Sequence, residues 1–246
     1  MADEKRGDCR STSFEQAVPA LVKTMRACGE EIRENAEDLL MDLAETIAHW
    51  NSMINLVSRK DMERLVSYHF SDSASLLPIL HPDRPLNLLD VGGSNGLPGL
   101  VLASLSPYLA VTICDSQRKR QGFMDDIFSR LSLRGVHGRF EAARVDDSRF
   151  RSANTGTFDI VTARAVTRLK LLLKWCLPLL SPGGRLVSYK GSRCGEEIKH
   201  AQGYFFRHGG SMLALVASPL ADACNPLRLF AIAEYEPSPI TTPECA

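Results

Sequence analysis

The chain has 246 residues, 44% of them hydrophobic, and 29 Lys and Arg residues balance 29 Asp and Glu. That length suits one large domain, or one domain with a small extension, and the apolar fraction excludes a disordered polymer. A formal net charge of zero points to no class of partner, so only the distribution of charge can.

In chain order, residues 1–13 are polar and predicted to fray. From about Phe14 to His49 the pattern is helical, with Gly29 separating a first helix from a second. Ile32, Ala36, Leu39, Leu40, Leu43 and Ile47 share one face at helical spacing, and the opposite face is acidic. A further helix is predicted from about Asp61 to Leu80, before Pro82 and Pro85. Tyr68, His69 and Asp72 sit on it three or four residues apart. They either tie this extension to the core by hydrogen bonds or stand beside a substrate.

The main domain then opens with a strand over residues 86–91, which runs into Gly92-Gly93-Ser94-Asn95-Gly96-Leu97-Pro98-Gly99 and a helix over 96–106. Glycines at 92, 93 and 96 can take positive φ and let a ligand approach the main chain. Strand, glycine turn and helix is how α/β proteins bring backbone N–H groups to a nucleotide-like ligand, although a plain turn with no ligand has the same pattern. The glycine triplet of the dinucleotide fingerprint is absent, which disfavours a nicotinamide oxidoreductase.

A second strand over 109–114 ends at Asp115, which can accept hydrogen bonds from ribose hydroxyls or cap the following helix. A helix after Gln117 buries Phe123, Met124, Ile127, Phe128 and Leu131. Strands follow over 136–140, 158–163 and 185–190, with Val145 and Asp146 after the first and Arg164 at the tip of the second. Residues 169–180 and 196–208 read as helices, and Ser181-Pro182-Gly183-Gly184 as a turn. Segments 212–216 and 227–235 read as a closing antiparallel pair. Alternating strands and helices predict an α/β fold, a mostly parallel seven-stranded sheet covered on both faces, with its ligand crevice at the carboxyl ends of the strands. The organisation read from this is a helical extension over 1–85, a main domain over 86–236 and a loose tail over 237–246.

Seven cysteines, Cys9, Cys28, Cys114, Cys176, Cys194, Cys224 and Cys245, include no C-x-x-C pair. This argues against a zinc site and for free thiols in a reducing cytoplasm. No apolar run approaches the length of a membrane span, and the N-terminus carries no apolar signal region.

The loop resembles the cofactor loop of Rossmann-like methyltransferases that use S-adenosylmethionine, with Ser94 in place of the middle glycine. Beyond the loop, the chain over roughly residues 30–235 resembles the RsmG (GidB) family, bacterial enzymes that methylate N7 of a guanine in small-subunit ribosomal RNA. The matching pieces are Trp50-Asn51 with Asn55-Leu56, His69 with Asp72-Ser73, and Asp90 to Gly99 with its Gly-Leu-Pro-Gly end. Further along they are Asp115-Ser116 with Lys119-Arg120, Phe158-Asp159 with Ala163-Arg164-Ala165, Gly183-Gly184, and Lys190-Gly191. The resemblance implies a Rossmann-like class I fold, S-adenosylmethionine as cofactor, and small-subunit rRNA or the assembled subunit as substrate. It implies cofactor contacts at Gly92, Leu97, Val145, Asp146 and Arg164, to which the loop and strand tips add Gly93, Gly96 and Asp115. The last strand ends Glu234-Tyr235, where a basic residue is expected.

N7 of guanine carries a lone pair and no proton, so its methylation is a direct displacement that needs no general base and no metal. The enzyme's work is positioning. Arg164 must leave N7 free, so it is expected to hold the cofactor carboxylate, a phosphate or O6, with a structural salt bridge as the alternative. Nine basic residues against five acidic ones lie between Arg118 and Arg151, and four basic against none between Arg164 and Lys174. Lys119, Arg120, Arg168, Lys190 and Arg193 are therefore the candidate RNA contacts. Other functions compatible with the pattern are a methyltransferase of the same fold acting on a small molecule or protein, and a non-catalytic nucleotide- or RNA-binding module. Nothing in the sequence demands more than a monomer.

Overall fold

A computed structural model of the chain describes residues 4–191, 194–218 and 229–236, with side chains from residue 14 onward. Two helices open it, α1 (Glu4–Ala27) and α2 (Ala36–Ile54). The backbone is thus helical well before residue 13, where fraying was expected. Leu39, Leu40, Leu43 and Ile47 of α2 are fully buried, as their spacing requires.

The single helix expected over 61–80 is instead four short pieces. They are α3 (Arg59–Glu63), a π-turn (Leu65–Phe70), α4 (Ser71–Ala74) and α5 (Leu77–Leu80). Ser58 caps α3 by accepting from the Asp61 N–H at 3.2 Å. In the π-turn the His69 N–H reaches back to the Arg64 carbonyl. A widened turn of this kind redirects the side chains that follow it.

The main domain follows in the order β1 (Leu86–Val91), α6 (Gly99–Leu105), β2 (Leu109–Cys114), α7 (Gln121–Ser132), β3 (Gly138–Glu141), α8 (Ser148–Ala153), β4 (Phe158–Arg164), α9 (Leu169–Cys176), β5 (Leu180–Lys190), α10 (Cys194–Arg207), β6 (Gly210–Ala217) and β7 (Leu229–Tyr235). The seven strands form one sheet in the order β3-β2-β1-β4-β5-β7-β6, parallel except where β7 joins β5 and β6. The turn expected at 181–184 lies inside β5, whose pairing with β4 shifts register between Phe158 and Ile160. The ladder passes from Leu180 to Arg185, so residues 181–184 bulge out of the pairing, with Gly183 at φ of +77°.

Alternate residues of each strand feed two cores. Leu88, Val111 and Ile113 pack with α2, α6 and α7 on one face. Leu89, Val91, Val161 and Ala163 pack with α9 and α10 on the other. From β1 the chain proceeds to β2 on one side and later to β4 on the other. That reversal opens the crevice at the carboxyl ends of the strands. Glu234, where a basic residue was expected, faces Arg185 across the β5–β7 ladder at 3.5 Å.

Candidate active site

The loop after β1 is built around Asp90. Its side chain is fully buried, and Oδ2 accepts from the Gly99 N–H at 2.8 Å, so the carboxylate ties the strand end to the start of α6. Oδ1 accepts from Thr162 Oγ1 at 3.0 Å, which adds β4 to the same knot. Burial pushes the Asp90 carboxyl up to about 7, against these two hydrogen bonds, which pull it down. A Cβ at Gly93 would collide with that carboxylate, so only glycine lets the loop close over Asp90. Gly92 and Gly96 have φ of +73° and +81°, where other residues are strained. Ser94 is not among the chain's left-handed residues. The position that departs from the glycine pattern is therefore one where the backbone does not need glycine.

Gly92 is exposed at the open edge of the loop, and the buried side chain of Leu97 anchors the loop from below. Asp115 stands at the tip of β2, where Oδ1 accepts from the Gln117 N–H at 2.7 Å. That bond closes a turn ahead of the next helix and does not cap it, because Gln117 stands at the N-cap position and no side chain caps the helix there. Val145 is buried beside Cys114 in the second core. Asp146 receives two hydrogen bonds from Arg144, each 2.9 Å, which hold its carboxyl below the usual range. Gly92, Asp115 and Asp146 stand at or just beyond the ends of β1, β2 and β3, on one edge of the sheet. An exposed glycine backbone flanked by two carboxylates and an apolar floor fits an adenosyl group with ribose hydroxyls to bind.

Across the switch point lies a cleft of about 600 Å³ at the ends of β4 and β5. Arg164, Val166 and Arg168 line it from the β4 side, Lys190 and Glu197 from β5 and α10, and Tyr68 from the extension. It adjoins the glycine loop directly, since a Cβ on Gly92 would come within 2.8 Å of Val166 Cγ2. Ala165, just past β4, has φ of +56°, a strained conformation for a residue with a side chain. It turns the chain sharply between Arg164 and Val166.

Two of the cations in this cleft, Arg164 and Lys190, are tied to carboxylates. Arg164 Nη1 lies 3.3 Å from Asp72 Oδ2 and 3.4 Å from Ser73 Oγ, so the salt bridge foreseen as the alternative for Arg164 exists. Lys190 Nζ is 2.6 Å from Glu197 Oε2, which also accepts from the Leu169 N–H at 3.0 Å. Burial opposes the charge on Glu197, yet these two donors keep its carboxyl below the usual range. Lys190 is thereby held in the wall of the cleft instead of projecting from it. Tyr189, its neighbour, donates from its hydroxyl to the Ser73 carbonyl at 2.9 Å.

The candidate RNA contacts divide. Lys119 and Arg168 are exposed. Arg120 is not a surface cation: it is buried and donates to the Ile54 and Asn55 carbonyls at 2.9 and 3.1 Å, locking the end of α2 to the start of α7. Arg193 lies outside the described residues. Glu197 escaped the sequence reading because nothing in its local pattern links it to a lysine on another element.

The strand order, the glycine loop after β1 and the crevice beside it define a Rossmann-like S-adenosylmethionine-dependent methyltransferase. A SAM-dependent O-methyltransferase from Thermotoga maritima shares the fold, with a TM-score of 0.51 at 13% identity, covering 80% of this chain and 72% of its own. A predicted O-methyltransferase from Agrobacterium tumefaciens does likewise, with a TM-score of 0.52 at 19% identity over 68% and 80%. The chain belongs to the GidB family, rRNA small subunit methyltransferase G, whose model matches residues 36–221. It is 34% identical to the ribosomal RNA small subunit methyltransferase G of Staphylococcus carnosus, over 93% of this chain and 95% of that protein. It is 35% identical to the protein of that name from an Exiguobacterium species, over 77% and 79%. No described helix is long and apolar enough to cross a membrane.

Proposed function

We propose that the protein methylates N7 of a guanine in small-subunit ribosomal RNA, with the cofactor at the glycine loop and the target base in the cleft beside it. The observation that carries this reading is the seam between the two: Val166, in the wall of the cleft, packs on Gly92 of the loop. A base held in the cleft is therefore next to whatever the loop holds.

S-adenosylmethionine, when bound, supplies a methyl group on a positively charged sulfur. Gly92 presents exposed backbone to it, Gly93 and Gly96 shape the turn behind, Leu97 and Val145 supply apolar contact, and Asp115 and Asp146 are the acceptors for its sugar and base. Because the N7 lone pair is the nucleophile, no residue has to remove a proton. What the chain provides is alignment, which in well-oriented reactions accounts for about 7–11 kcal/mol of barrier. Arg164, braced by Asp72, fixes the tip of β4 that carries Ala165 and Val166. Its guanidinium offers a donor to O6 or a phosphate while leaving N7 unblocked. Lys119 and Arg168 are suited to phosphates, because both are exposed cations. The working unit on this reading is a monomer in the cytoplasm, acting on the small-subunit RNA or on the assembled subunit.

The test is mass-spectrometric mapping of 7-methylguanine in small-subunit ribosomal RNA incubated with S-adenosylmethionine, with and without the protein. One guanine should gain a single methyl group at N7, which leaves its ring positively charged. Methyl transfer to other bases, or none with cofactor bound, would overturn the reading.

A further inference from the structure

A guanine inside folded RNA is stacked, and the deep, narrow major groove of an RNA helix hides its N7 edge. Presenting N7 to a methyl donor buried in a crevice requires the base to leave its stack, at a cost that a replacement stacking partner can offset. Three described rings border the cleft, those of Tyr68, His69 and Tyr189. Tyr189 is buried and packs edge-on against Phe230 with centroids 4.9 Å apart. His69 is turned to Asp61, with Nε2 3.0 Å from Oδ1.

Tyr68 differs from both. It is half-buried and lines the cleft together with Arg164 and Val166. Arg64 lies over one face of the ring, its guanidinium carbon 4.2 Å from the centroid. Arg64 is itself anchored, with Nε and Nη2 donating to Asp61 Oδ1 at 3.2 and 2.8 Å. The rings of Tyr68 and His69 stand at 87° to each other, with centroids 5.0 Å apart. The ring is thus held between Arg64 and His69, within the π-turn at the border of the cleft. A clamped, half-buried ring that lines the cleft loses little conformational freedom when a planar ligand settles on it.

We propose that Tyr68 is the platform on which the extruded target guanine stacks, so that the helical extension, and not the methyltransferase core alone, completes the base site. The inference rests on reading the cleft as the base site. It adds a consequence: methyl transfer moves positive charge onto the guanine ring, and an aromatic face under that ring attracts a cation more than a neutral base. Tyr68 therefore favours the transition state as well as binding.

The experiment compares wild type with Tyr68→Phe, Tyr68→Leu and Tyr68→Ala in single-turnover methylation of small-subunit ribosomal RNA, with cofactor affinity measured separately by calorimetry. Phe should stay within about threefold of wild type, while Leu and Ala should lose about tenfold or more, within the range that one base–aromatic stack supplies. Cofactor affinity should not change. Leu matching wild type, or Phe failing as badly as Ala, overturns the proposal. A second measurement needs no variant. 2-Aminopurine placed at the mapped guanine should keep low emission in the wild-type complex, and a bright, unstacked signal would overturn the assignment. If wild type methylates no guanine at all, the proposed function fails instead, and the two failures are told apart.

Discussion

Asp72 on α4 and Arg164 at the tip of β4 form an ion pair between the helical extension and the methyltransferase core, 3.3 Å apart and almost wholly out of water. A pair of this kind is costly to break, because removing one partner strands a charge in a low-dielectric place. Arg164→Ala and Asp72→Ala should each lower stability by about 3 kcal/mol. The double variant should lose less than the sum of the two. Denaturant melts of the four proteins measure this, and strict additivity would show that the two residues do not couple. Methylation by Arg164→Ala should fall at least tenfold under conditions where the variant remains folded.

Asp90 makes the fold sensitive to pH in a defined direction. Its carboxyl titrates near 7 in the native state and near 3.9 in an unfolded chain. Between those values the native state holds a proton that the unfolded state has released. The stability it contributes at low pH is therefore lost as pH rises toward 7. Asp90→Asn cannot ionise, and its amide can still accept from Gly99 and donate to Thr162. The stability of the variant relative to wild type should rise steadily from about pH 4 to 7. Urea melts across that range test it, and a constant difference would mean that Asp90 is ionised throughout. Groups held below their ordinary values, such as Asp146 and Glu197, have the opposite slope but cancel in the comparison.

Gly93→Ala puts a methyl group into the Asp90 carboxylate, which is held by Gly99 and cannot step aside. Overpacking of this kind costs about 1–3 kcal/mol. The larger effect should be on the loop itself, so cofactor binding should weaken more than tenfold. Calorimetry with S-adenosylmethionine reads this directly, and unchanged affinity would detach the loop from the cofactor.

The basic residues should separate by salt dependence. Lys119→Ala and Arg168→Ala should each weaken RNA binding and reduce the slope of log affinity against log salt by about 1. Arg120→Ala should leave that slope alone and lower the melting temperature, because its guanidinium holds two backbone carbonyls inside the protein. Filter binding at several salt concentrations, with melting curves, distinguishes the two behaviours.

Much of the fold could be read from local pattern. The β1 and β2 boundaries match the apolar runs at 86–91 and 109–114, and the closing antiparallel pair lies where alternation places it. The glycine loop was legible because close backbone approach and positive φ demand a particular residue at a particular position. The segment from 59 to 80 was not. Its composition suits one helix, but a π-turn at Leu65–Phe70 breaks the phase, and that turn is stabilised by packing against the core.

What the sequence determined alone is therefore what depends on neighbours along the chain: the alternation of strands and helices, the loop and the family. Only the tertiary structure decided which charges are exposed and which are internal fastenings. Arg120 and Lys119 are adjacent in sequence, yet one is buried and the other exposed. Lys190 is fastened to Glu197, and Arg164 to Asp72, from elements that meet only after folding. The reason is physical: a charge's role is set by the groups within a few ångströms of it, and for a side chain at a strand tip those groups come from distant parts of the chain.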